Sequence, residues 1–420
     1  MKKIHLTFAL AYTFTSLASL PAFGQSFDAS SASPLSTDSG SNHQKFQVTF
    51  LSATSVPGTS VTNPFTAFDI ITVDSESQLV ALSSRSSKAV VIYNAFTGNP
   101  LGETPAVFAG VGVDNPHSGP NGNIIAGDQL WAGDYPSTVR VFDLKSSLSS
   151  PPEIAAIDTG GLLRADEMDY DPADKIVAVS NGDASTGNPP FVSLISTRTL
   201  KIVKQVVFDG SNGTPDASQG GIGSVLYDST TGKFLVSIPQ VGSDLTKGAV
   251  AEMDPVSGAV TKVFNGIDNC MAAGMAHGPG ENVLIGCDPG FPPPDPVAFS
   301  PRTYVINGRT GRILATITQV GGEDEVWYNP GDGHYYTGSR DFFTNPSATS
   351  ATPVLGVIDA DTNQWVENVP TGPNSHSVAA NPQNNHIYVP LKNPNAMCGG
   401  LAGCVGIFGH EIKPPSEEME

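Results

Sequence analysis

GGEDEVWYNPGDGHYYTGSR, residues 321–340, contains one complete structural unit. The acidic triplet Glu323-Asp324-Glu325 leads into the apolar run Val326-Trp327-Tyr328. A polar turn, Asn329-Pro330-Gly331-Asp332-Gly333, follows, and then a second β-rich run from His334 to Thr337. Two short β-rich runs around a Pro/Gly/Asn/Asp turn read as a hairpin. The same order recurs as RADEMDYDPADKIVAVSN from Arg164, NSHSVAANPQNNHIYVPL from Asn374 and GIGSVLYDSTTGKFLVSIP from Gly221. The chain is built of repeats.

Turns of this kind fall near Asp74, Gly127, Asp171, Asp228, Gly278, Asn329 and Asn381, at intervals of roughly 45 to 55 residues, the length of a four-stranded propeller blade. The markers predict an all-β fold, a seven-bladed β-propeller over residues 45–410. Each marker is followed by a second strand, and third strands then end in turn signals such as VVIYNAFTG, AVAEMDPVSG and LGVIDADTN. The last unit lacks a fourth strand, while Lys45-Phe46-Gln47-Val48-Thr49-Phe50 before the first is an unclaimed strand. Joining the two closes the ring and removes a sheet edge. An open β-solenoid is the alternative.

These units resemble the YVTN or YncE-like seven-bladed propeller repeats. The likeness rests on DYDPADKIVAVSN, WYNPGDGHYYTGS, GVIDADTN and HSVAANPQNNHIYVP, and covers the chain from about Phe46 to Phe408. The spelling "YVTN" itself never occurs, and the last unit carries a cysteine loop. The resemblance implies the architecture and leaves several functions open: ligand binder, surface protein, or relative of lactonases and lyases.

The 420-residue chain opens with Lys2 and Lys3, an apolar run from Ile4 through Leu20, and Ala22-Phe23-Gly24. This reads as a secretory signal over residues 1–24. A Ser-rich disordered leader over 25–44 and a charged tail over 411–420 flank the repeats. No later apolar run approaches the ~20 residues of a membrane span. The expected product is a secreted or periplasmic monomer. A net charge of −19 disfavours nucleic acid and anionic membranes, both polyanions. The cysteines form two local pairs, Cys270 with Cys287 and Cys398 with Cys404, expected as disulfides in an oxidising compartment.

In a propeller the loops entering the inner strands and the loops from second to third strands share one rim, where ligands meet the ring. The long second-to-third loops here are expected at Asn181 to Pro190, Gln240 to Lys247, Asp288 to Arg302, Arg340 to Pro353 and Lys392 to Gly403. Counting five residues back from each marker gives Asp69, Gly122, Asp166, Gly223, Ala273, Asp324 and His376 at equivalent positions, with Glu167 and Glu325 directly following two of them. Asp166, Glu167, Asp324, Glu325 and His376 are therefore candidate ligands for a divalent cation of the Ca²⁺ type, or an acid/base set with raised pKa values. Catalytic candidates are His376, Glu325 and Glu167. Asp69, His117, Asn121 and Arg340 complete the candidate ligand-binding set. In the competing reading the acidic residues are turn formers, or partners for Arg164 and Arg340.

His334 and His386 are expected at the surface, and His277 as a structural histidine. Trp131, Trp327 and Trp365 are expected between blades, with Arg85, Arg340 and Lys392 at the rim. The chain contains no G-x-S-x-G, G-x-x-x-x-G-K-[ST], H-E-x-x-H or C-x-x-C-H motif. The first expectation for function is a propeller that binds a small molecule or peptide at an acidic channel mouth. The alternatives are a metal-dependent, lactonase-like hydrolase or lyase, and a cell-surface interaction module. Asn212-Gly213-Thr214 is a glycosylation sequon whose use depends on the source.

Overall fold

The computed structural model describes residues 47–185, 187–288, 301–345 and 348–410. The signal, leader and tail expected from the sequence lie outside these residues, as does most of the loop between Asp288 and Arg302. Seven antiparallel four-stranded sheets make up the fold. Their innermost strands are Ile71–Asp74, Asn123–Ala126, Met168–Asp171, Val225–Asp228, Ala272–His277, Val326–Asn329 and Ala379–Asn381. Each touches the next, and the last touches the first, so the ring closes. This is a seven-bladed β-propeller, and the open solenoid is excluded.

Every marker turn ends an inner strand, and at the Asp and Asn markers a local chemical reason is visible. Asp171 Oδ1 accepts the N–H groups of Ala173 and Asp174, Asp228 Oδ1 that of Thr230, and Asn329 Oδ1 that of Gly331. A short side-chain acceptor caps the turn and competes with continuing the strand. The third-to-fourth turns use the same device: Asp254 accepts from Val256 and Ser257, and Asp359 from Thr362. Gly258, φ +70°, supplies the left-handed residue such a turn needs.

Second and third strands are buried almost throughout, as in Leu79–Ser84, whereas fourth strands face solvent on one side, as in Lys201–Val207. The seventh blade is completed from the other end of the chain. Val48–Ser55 pairs antiparallel with Cys404–His410, from Val48 opposite His410 to Ser55 opposite Cys404. The closing strand thus begins near its expected place and extends five residues beyond Phe50. A continuous apolar layer, including Phe65, Phe68, Ile71 and Tyr93 of the first blade with Tyr388, Val405 and Ile407 of the seventh, seals the joint.

Both cysteine pairs are disulfide-bonded, with S–S distances of 2.04 Å for Cys270–Cys287 and 2.05 Å for Cys398–Cys404. The first staples the fifth blade's inner strand to its neighbour at the mouth end. Among the described residues no helix is long and apolar enough to cross a membrane.

Two expectations need correction. His334 is buried, because its Nδ1 lies 2.7 Å from the Asp332 carbonyl and its ring packs near Tyr336 and His410. Trp365 sits on an outer strand at 39% exposure, with its indole N–H on Asn368, rather than between blades. Trp327, on an inner strand, packs between the sixth and seventh blades as expected and also lines the central channel. Trp131 is fully buried as expected, His386 is half-buried, and His277 lies 3.1 Å from Asp228 in a structural pair.

Candidate functional site

The loops entering the inner strands gather an acidic cluster at one end of the channel, and three arginines organise most of it. Arg85 donates to Asp69 at 2.5 Å, to Asn121 at 2.7 Å and to Asn115 at 2.5 Å. Arg164 contacts Asp166 at 2.6 Å, Asp183 at 3.0 Å and, from the third blade to the first, Asp69 at 3.2 Å. Arg340 contacts Asp288 at 2.5 Å, Asp324 at 2.7 Å and Asp341 at 3.4 Å. The competing sequence reading, carboxylates as partners of Arg164 and Arg340, therefore describes Asp166 and Asp324.

Glu167 and Glu325 differ from these. They directly precede the inner strands of the third and sixth blades, which face each other across the seven-membered ring. Their carboxyl groups lie close enough to act on each other's charge. Room for the pair depends on Gly274, where a Cβ would come within 2.9 Å of Glu325 Oε2. Ser224, at the corresponding position of the fourth blade, lies beside them. Its N–H is bonded to Ser237 Oγ, but its own hydroxyl is buried without a partner.

Glu167, Ser224 and Glu325 divide the channel in two. Above them lies a polar mouth cavity of about 200 Å³, reaching Asp69, Arg164, Asp288 and Arg340. Below them lies a cavity of about 410 Å³, walled mainly by the inner strands. These three residues line both cavities.

The other candidates are placed differently. His376 is 3% exposed, stacks on Phe68 at 4.5 Å, sets Nδ1 2.8 Å from the Asn374 carbonyl and turns Nε2 toward Asp69 at 3.4 Å. It lines neither cavity. Asn121 is fully buried and donates to the Ser118 and Ala165 carbonyls while accepting from Arg85. His117, in a single 3-10 turn, pairs with Asp114 at 2.5 Å, outside the cluster. Among the described residues no three His, Cys, Asp or Glu groups are arranged to hold a metal ion. Of the five residues expected to bind a divalent cation, Asp166 and Asp324 are held by arginines and His376 by its stack and hydrogen bonds.

Sequence reasoning passed over Asp183, Asp288, Asp341 and Ser224. The three aspartates have a sequence signal: each stands one or two residues past a second strand, the position of Arg85 and Arg340. Ser224 has none. Glu323, the first residue of the acidic triplet, is fully buried and accepts hydrogen bonds from Thr303 Oγ1 and the Cys287 N–H, with burial pushing it up to about 8.

The electrostatics separate the two sets. Burial alone would raise Asp69, but Arg85, His376 and Arg164 together hold it well below the usual carboxylate range. Burial pushes Asp166 up to about 7 against the pull of Arg164. Burial raises Glu167 well above its ordinary value, helped by the neighbouring Glu325, and raises Glu325 likewise, helped by Asp324. These groups hold protons in the folded protein that the unfolded chain releases. Their contribution is complete below the unfolded carboxyl range and is lost as pH rises toward 7 and beyond. The melting temperature should therefore fall from pH 5 to pH 8. In the double variant Glu167→Gln/Glu325→Gln the fall should flatten, with a gain of a few degrees at pH 8. Differential scanning calorimetry across that range tests this; curves that descend in parallel would show that the pair bears no excess charge.

No family model matches the chain, and neither does any curated protein. Solved structures do resemble it. One is Kuenenia stuttgartiensis hydrazine synthase, with a TM-score of 0.57 and 17% sequence identity, covering 80% of this chain and 96% of that one. At that identity the likeness carries the propeller fold alone.

Proposed function

We propose that this chain is an exported binding propeller whose small-molecule or peptide ligand presents a cationic or hydrogen-bond-donating group to Glu167 and Glu325. One observation carries this reading. Asp69, Asp166, Asp183, Asp288, Asp324 and Asp341 each have an arginine partner, whereas Glu167 and Glu325 have each other. Two carboxyl groups close together inside a protein are costly, and a bound cation relieves that cost by replacing a proton. Export is supported by the N-terminal sequence and the two disulfides, and membership of the YncE-like repeat group by the quoted repeats.

The divalent-cation and lactonase-like reading asks for more rearrangement, because Asp166 and Asp324 would first have to leave Arg164 and Arg340. Titration calorimetry of the purified protein with n-butylamine, and with calcium chloride in a separate arm, distinguishes the two. Amine binding that disappears in Glu167→Gln/Glu325→Gln is the expected result. Binding of equal strength in the variant would overturn the assignment. Stoichiometric calcium binding reversed by EDTA, with no amine binding, would favour the metal reading instead.

A further inference from the structure

The lower cavity has a composition of its own. Ile71, Val73, Ile124, Leu226, Met275 and Trp327 are among its walls, and it runs from the glutamate pair to Asp74 and Tyr328 at the opposite end of the inner strands. At about 410 Å³ it falls within the ~300–1,000 Å³ range of small-molecule sites, which are typically apolar with a few convergent polar groups. At its upper end sit Glu167, Glu325 and Ser224, while the other polar residues along it, among them Thr72, Asn123, Asp169 and His277, are engaged with protein neighbours. Ser224 is 5% exposed, and its Oγ has no hydrogen-bond partner. A buried hydroxyl left unpaired costs free energy unless something else completes it. Neither glutamate engages it, although all three line the same space.

We propose that this chamber binds a primary amine with an apolar body, the ammonium group lying against Glu167, Glu325 and the Ser224 hydroxyl and the hydrocarbon filling the channel below. This rests on the function proposed above and names its ligand class. An ammonium group has three donors, which match two carboxyl oxygens and one hydroxyl oxygen. Apolar walls would add affinity with every methylene removed from water. A fully hydrated metal ion would gain nothing from such walls.

The test is a chain-length series of methylamine, ethylamine, n-butylamine and n-hexylamine, titrated calorimetrically into the purified protein. Affinity should rise by roughly fourfold for each methylene buried. Ser224→Ala should weaken every member by a similar factor, because it removes a contact to the head group and not to the tail. Leu226→Trp, which fills the chamber, should reduce the advantage of hexylamine over ethylamine at least several-fold, and the series in the unaltered protein stands independently of how that variant folds. Equal affinity along the series, with binding still abolished by Glu167→Gln/Glu325→Gln, would overturn the chamber assignment and leave the proposed function standing. A length dependence that survives in that double variant would place the hydrocarbon elsewhere and overturn the inference. Failure of every amine to bind would overturn both.

Discussion

A chain beginning at Val56 should fail to give a soluble monomer with a cooperative melt, because it loses the strand that closes the ring. Val48–Ser55 supplies the ladder partner for all of Cys404–His410. Removing it turns a buried strand into a sheet edge that carries Val405, Ile407 and Phe408, all buried in the intact ring. Further contacts are lost, among them the Val48 N–H on Glu367 at 2.6 Å, and the edge-on ring pair Phe50–Phe408 at 5.5 Å. Unpaired edges with apolar side chains template aggregation. The truncated protein should therefore elute as aggregate on size exclusion. Any soluble fraction should melt on the order of 10 °C or more below the intact chain. A monomer melting within a few degrees of the original would mean that the seventh blade is stable with three strands.

Arg164→Met should be the most damaging single substitution at the mouth. Methionine keeps much of the apolar stem but removes the charge shared by Asp69, Asp166 and Asp183. The four side chains are only 11%, 8%, 12% and 21% exposed, in the order Arg164, Asp69, Asp166, Asp183. Breaking such a pair leaves buried charge uncompensated and costs about 3–5 kcal/mol. Asp69 retains Arg85, so the burden falls on Asp166 and Asp183. The loss should depend on pH with a definite sign. Asp166 is already pushed up to about 7 with its arginine present, so without it the carboxyl is forced higher still. Protonation then relieves the damage at pH 5 and not at pH 8. Urea denaturation at both values measures this. A loss below ~1 kcal/mol at pH 8, the range of an exposed pair, would show that solvent reaches the cluster more freely than its burial implies. Arg309→Met, on the exposed pair with Glu281, serves as the control and should leave the melting temperature unchanged.

The two sets of carboxylates show how far sequence reading reaches into the site. Counting back from each turn marker correctly places Asp69, Asp166 and Asp324 at equivalent mouth positions, because inner strands of similar length and turns of similar chemistry repeat around the ring. Asp166 and Glu167 are adjacent in sequence and alike in charge, yet one is held by Arg164 and the other reaches Glu325 across the channel. Nothing local distinguishes them. His117, Asn121 and His376 also have ligand-type side chains in the expected region, and each is used by its own surroundings: Asp114, the Ala165 carbonyl, and the Phe68 stack with Asp69.

By itself the sequence determined the propeller, its seven blades, the position of nearly every inner strand, both disulfide pairs and the strand that closes the ring. These follow mainly from short-range rules, namely turn chemistry, short β-rich runs and the repeat length, which act over a few residues and recur. Only the tertiary structure decided which acidic groups are neutralised and which face the channel. That choice depends on contacts such as Asp69 with Arg164, Asp288 with Arg340 and Glu167 with Glu325, made between separate blades or strands far apart in the chain. Buried charge must find a partner across space, and the partner's identity is set by closure of the ring.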